Sequence, residues 1–127
     1  MKKIITTIIC FVLVFAFAGN ALAVGVYKTI GTSGNTTLAT STTRTSTFTA
    51  QISSNSDFGS NPPDAGVNIR VYRGTSRYTN DITFEASDVP SYQYRSYLYN
   101  TTTGTFKAIS NLNDETASIV FSGNLYF

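Results

Sequence analysis

Catalysis near neutral pH draws on a short list of side chains, and this sequence lacks most of them. It has no histidine, and its one cysteine, Cys10, lies inside an apolar N-terminal run. Past that run there is no neutral-pH general base, no thiolate nucleophile and no set of common zinc ligands. A serine nucleophile would need a lysine base, and residues 24–127 hold only Lys28 and Lys107, neither in a recognisable motif. Paired carboxylates could still run glycoside hydrolysis. Of the acids, Glu85 alone falls in the middle of a predicted strand, on its wet side. Asp57, Asp64, Asp81, Asp88, Asp114 and Glu115 fall in or beside turns, and turn chemistry accounts for them. The expectation is a protein that is not an enzyme and uses no cofactor, with a hydrolase as the remote alternative.

Two patterns could hold a ligand. Asn55, Asp57, Gly59 and Asn61 alternate like the start of a calcium loop, in which every second residue points an oxygen inward. Pro62 and Pro63 then follow and no glutamate closes the pattern, so Asn55, Asp57 and Asn61 read first as an ordinary turn-rich loop. The second pattern is "SYQYRSYLYN". Its even residues Tyr92, Tyr94 and Leu98 are expected in the core, which sends Gln93, Arg95, Tyr97 and Tyr99 to the opposite face. Tyrosine offers a flat apolar body and a polar tip at low entropic cost, so two rings beside a guanidinium make an adhesive patch. Arg95, Tyr97 and Tyr99, joined by Tyr72, are the candidate ligand-binding residues, for an unknown surface glycan or protein. The plainer reading is that Tyr97 and Tyr99 cover a hairpin partner, "TFKAIS", through cross-strand pairs.

A third pattern, "TLATSTTRTSTFTAQI", sets a hydroxyl at almost every second position. Leu38, Phe48, Ala50 and Ile52 share the even side, so Thr43, Thr45, Thr47 and Thr49 are expected on the wet face. A hydroxyl template for ice or mineral would need a second matching strand. The only comparable run, "TTTGT" from Thr101, reads as a turn, so the row reads as a solvated strand using threonine for its β-propensity. Arg44, on the even side, marks where the strand should bulge or break.

The elements that would carry these residues are strands. Residues 24–127 are rich in Thr, Ser, Tyr, Phe, Val and Ile and poor in Leu, Ala, Glu and Lys, a composition that packs on a pleated surface and loses rotamer freedom in a helix. "VNIRVYR" alternates Val67, Ile69 and Val71 against Asn68, Arg70 and Tyr72. "DITFEA" points Ile82, Phe84 and Ala86 inward, and "ASIVFSGNLYF" repeats the period with Ile119, Phe121 and Leu125. "NSDFGSNPPDAG" is the one long loop, and "TTTG" is expected to join "SYQYRSYLYN" to "TFKAIS" as a hairpin with Gly104 at the left-handed position. The predicted fold is all-β: a two-sheet antiparallel sandwich, immunoglobulin-like or similar, of roughly seven or eight strands.

The N-terminus sets the compartment. Lys2 and Lys3 precede an apolar run from Ile8 to Ala18, and Ala21-Leu22-Ala23 places small residues at both recognition positions of a signal peptidase. Residues 1–23 therefore read as a cleaved secretory signal peptide and 24–127 as one secreted, extracellular domain. Lys2 and Lys3 account for the whole excess of nine basic over seven acidic side chains, so residues 24–127 are formally neutral. That balance argues against nucleic acid or an anionic membrane as partner. No apolar run in 24–127 is long enough for a helical span.

"SIVFSGNLYF" resembles the last strand of outer-membrane β-barrels, but such barrels need an outward apolar band on every strand and the threonine strand offers none. Taken whole, the chain resembles small secreted bacterial β-sandwich proteins. It reads as a binding or adhesion module. The alternative is a self-assembling fibre or matrix subunit that exchanges its terminal strands, 24–30 and 117–127.

Overall fold

A computed structural model describes residues 23–42, 47–89, 92–97, 104–113 and 117–127. Their β-branched and aromatic composition produces strands and, apart from one 3-10 turn at Ala86–Asp88, no helix among the described residues. The strands are β1 (Ala23–Ile30), β2 (Thr36–Ser41), β3 (Thr47–Ile52), β4 (Gly66–Arg73), β5 (Ser76–Arg77), β6 (Ile82–Glu85), β7 (Gln93–Tyr97), β8 (Phe106–Asn113) and β9 (Ile119–Tyr126). They form two antiparallel sheets. One runs β1-β9-β3-β7; the other runs β2-β8-β4, with β5 and β6 both along the far side of β4.

The pairing is nested. β1 pairs with β9, β2 with β8, β3 with β7, and β4 with β5 and β6. A chain paired first with last in this way is a long hairpin rolled into two sheets, the jelly-roll arrangement, with β5 and β6 as one interrupted strand. The antiparallel two-sheet architecture is as expected, but the immunoglobulin-like order is not. Immunoglobulin sheets pair the first strand with the second, whereas here β1 and β2 lie in different sheets.

The interruption between β5 and β6 has a local cause. Tyr78 N–H reaches the Val71 carbonyl (2.9 Å), and the chain then bulges so that the Thr79 hydroxyl accepts the Val71 N–H (2.9 Å) where a backbone carbonyl would stand. Tyr78 turns into the core, edge-on to Phe106 at 5.4 Å, and Asp81 is carried outward.

Between the sheets lies the core that alternation predicts. Val67, Ile69, Val71, Ile82, Phe84, Ile119 and Phe121 are buried, and so are Leu38, Phe48, Ala50 and Ile52 on the even side of the threonine stretch. Phe84 of one sheet meets Phe121 of the other at 6.0 Å. Burying each large side chain contributes about 1.5–3 kcal/mol. Leu125 and Phe127 of the last strand complete the packing, with Phe127 against Phe48 at 5.3 Å.

Three expectations change. "SYQYRSYLYN" and "TFKAIS" are not a hairpin, because β7 pairs with β3 in one sheet and β8 with β2 and β4 in the other. Gly104 does take positive φ (145°), but on a connection between sheets. Tyr92 and Tyr94, expected in the core, are 54% and 40% exposed. Tyr94 is opposite the inward Ala50 and touches Phe84 at 5.2 Å, so its side was read correctly, but β7 is the last strand of its sheet and no further strand among the described residues covers the ring. The threonine stretch forms two shorter strands, in keeping with a break near Arg44, with β2 in one sheet and β3 in the other. Thr49, expected wet, is 7% exposed because β3 is an interior strand and Thr49 sits between Tyr126 of β9 and position 95 of β7. Leu98, Thr43, Arg44 and Thr45 lie outside the described residues. The terminal strands pair with each other over their whole length inside the sandwich, Ala23 opposite Tyr126 through Ile30 opposite Ile119.

Candidate functional site

The outward side of the β1-β9-β3-β7 sheet is built from alternate residues whose register is set by those ladders. One row across it reads Gly25, Asn124, Gln51, Gln93; the next reads Ala23, Tyr126, Thr49 and position 95. Tyr27 follows Gly25 on β1, opposite Ser122. None of the outward residues of β1, β9 and β3 is charged. Beside Tyr27 lies a shallow depression of ≈340 Å³, bounded by Gly25, Ser53, Ser122, Gly123 and Asn124. The Tyr27 ring stands 71% exposed over it.

The rim of the depression is pinned by serines. Ser53 Oγ donates to Ser122 Oγ (2.8 Å), and Ser56 Oγ accepts the Ser122 N–H and donates to its carbonyl, both at 2.9 Å. Backbone bonds from Ser53 N–H to Ser122 O and between Asp57 and Val120 in both directions carry the loop along β9. Asn61 then clasps the start of β9, its amide giving Nδ2–H to Ala117 O (2.9 Å) and taking Ala117 N–H on Oδ1 (2.8 Å). Gly123 is required where β9 meets β3, since a Cβ there would overlap the Gln51 carbonyl oxygen.

The outward side of the other sheet is ionic. Arg70 grips Asp81 with two nitrogens (Nε 2.8 Å, Nη2 2.9 Å), and Arg77 Nη2 reaches the same carboxylate at 2.6 Å. Arg70 also reaches Asn111 Oδ1 at 3.3 Å, while Arg77 Nε bonds the Thr79 carbonyl. Thr83 and Asn68 are joined at 2.7 Å.

The candidate residues from the sequence divide between these sides. Tyr72 is half-buried on β4, among the ionic residues. Arg95 and Tyr97 belong to β7, opposite Thr49 and Thr47, so the polypeptide brings them to the sheet of β1, β9 and β3 and away from Tyr72. Their side chains, and Tyr99 entirely, lie outside the described residues. In the calcium pattern, Asn55 is exposed, Asp57 Oδ1 accepts Gly59 N–H (2.8 Å) in an Asx-type turn, and Asn61 is committed to the Ala117 backbone. Among the described residues no three carboxylates gather as a metal site. Asp88 takes Glu85 N–H on one oxygen (2.8 Å) and the Tyr94 hydroxyl on the other (2.9 Å). The hydrogen bond to that carboxylate, with partial desolvation, raises Tyr94 above the ordinary tyrosine range.

Sequence reasoning missed Tyr27, Gln51 and Asn124. The signal was a glycine and a tyrosine on the wet side of "VGVYKTIG", but joining it to "SGNLY" needed the pairing of the first strand with the last. No protein-family model matches the chain, and a search of curated proteins finds no match. No helix among the described residues is long and apolar enough to cross a membrane.

Proposed function

We propose that the protein is a small secreted binding or adhesion module without catalytic activity, exported by a signal peptide at residues 1–23, that recognises a surface glycan or protein outside the cell. One observation carries this reading: the outward side of β1, β9 and β3 is uncharged and set with tyrosine, amide and hydroxyl groups beside an open depression. Such groups bind polar, uncharged surfaces without burying an unmatched charge. The jelly-roll order does not choose among functions, since this fold serves capsid and lectin domains alike. Arg95 and Tyr97 belong to β7, the strand beside β3, and the register places them in line with Thr49 and Thr47, so the adhesive patch read from the sequence joins this side through β7, without Tyr72.

The test is adhesion of the purified protein to cell-wall material and to immobilised oligosaccharides, compared with the double variant Tyr97→Ala/Tyr99→Ala. Loss of adhesion with a melting midpoint shifted by only a few degrees is the expected result. A double variant that binds like the parent, or one that unfolds, removes β7 from the site.

A further inference from the structure

We propose that the depression beside Tyr27, between β1 and β9, is a subsite for the ring of a neutral sugar. The inference rests on the binding-module reading and adds the ligand class and the place. A pyranose presents an apolar C–H face and a rim of hydroxyls that both donate and accept. The apolar face needs a flat exposed ring, and Tyr27 supplies one that is 71% exposed on an edge strand. The rim needs groups that donate and accept side by side. The Asn124 amide has both, and Ser53, having donated to Ser122, keeps its lone pairs for a ligand hydroxyl.

Charge selects the class. No ionised side chain borders the depression, so a uronate, sulfate or phosphate would bring a charge with no counter-ion. Size sets the occupancy. A volume of ≈340 Å³ is at the small end of ligand sites, suited to one ring and open enough for a chain to continue outward. The continuation is provided by Asn124, Gln51 and Gln93, aligned across neighbouring strands that lie about 4.8 Å apart, a spacing comparable to one pyranose in a chain.

Gly25 makes the space. Two residues before Tyr27 on the same side of β1, it leaves a gap the size of a side chain, and a Cβ there would meet only Asn124 Oδ1, at 3.8 Å. A larger residue at 25 therefore fills the subsite without straining the strand. Gly123 on β9 cannot take a side chain, and the rim is held by the serine contacts to Ser122, so the pocket exists before any ligand arrives.

An array of neutral hexose and N-acetylhexosamine oligosaccharides, alongside uronate- and sulfate-bearing ones, is probed with the parent, Tyr27→Ala, Tyr27→Phe, Gly25→Val and the opposite-side control Tyr72→Ala. Neutral glycans should bind. Affinity should fall by about tenfold or more in Tyr27→Ala and Gly25→Val, with melting midpoints near that of the parent, and stay close to the parent in Tyr27→Phe and Tyr72→Ala. Binding confined to charged glycans, or retained in both Tyr27→Ala and Gly25→Val, overturns the subsite. Adhesion to cell-wall material with no glycan bound on the array overturns it too, but leaves the binding-module reading standing. A parent that binds neither glycans nor cell-wall material overturns both.

Discussion

The two outward sides of this sandwich are made of the same element and solve the problem of an exposed polar surface differently. On the β2-β8-β4 sheet, three charged groups hold one another: Asp81 is held by Arg70 and Arg77, and Asn111 and the Thr79 carbonyl take further guanidinium protons, while Lys107 of β8 stands exposed beside them. On the β1-β9-β3 side there are no charges to pair, and tyrosine, amide and hydroxyl groups face outward around a depression. Charges already held in such a cluster gain little by taking a ligand, because binding would first break contacts already made. An uncharged surface with an exposed ring has that gain still to make. The difference separates a cluster of charges that hold one another from an uncharged side that presents an exposed ring.

The largest expected effect breaks the comparison by removing what both sides rest on. Phe84 is buried beneath the ionic sheet and touches Phe121 and Tyr94 of the other, so Phe84→Ala should cost about 3–5 kcal/mol, enough to unfold a marginal domain at ambient temperature. Urea denaturation measures it, and a midpoint equal to the parent's would mean the two sheets do not share this core.

A middle effect sharpens the contrast. Asp81→Asn leaves two guanidinium groups without their carboxylate and should lose about 1 kcal/mol at low salt, with the loss shrinking as salt rises. Gln93→Ala, at the exposed end of the Gly25-Asn124-Gln51-Gln93 row, should change stability by less than about 0.5 kcal/mol at any salt concentration. Equal, salt-independent losses in both variants would erase the distinction.

The smallest effect is at the exposed edge. Tyr94 donates its hydroxyl to Asp88, and its pKa is raised above the ordinary value of about 10. Below that pH both folded and unfolded chains keep the proton and the contact contributes fully. Above it the unfolded chain loses the proton first, so stability should fall as pH rises through the folded-state value. Thermal melts from pH 9 to 11 should show a slightly shallower decline for Tyr94→Phe than for the parent. Parallel curves would mean that the contact carries no stability.

What the sequence determined by itself is what period two and composition can carry. β-Branched and aromatic residues dictated strands, and alternation named the inward residues of β4, β6 and β9 and the even side of β3, because side-chain direction along a strand is a local property. Partnership between strands is not local. Nothing in "SYQYRSYLYN" says that its neighbour is β3 rather than "TFKAIS", and nothing in "VGVYKTIG" says that it lies beside the last strand. Those choices follow from how two sheets bury their apolar sides together, and they decided three things the sequence left open. Tyr94, on the correct side, became exposed because its strand fell at an edge; Thr49, on the wet side, became buried because its strand fell in the interior; and Tyr27 met Asn124 and Ser122 across a chain separation that only the first-to-last pairing closes.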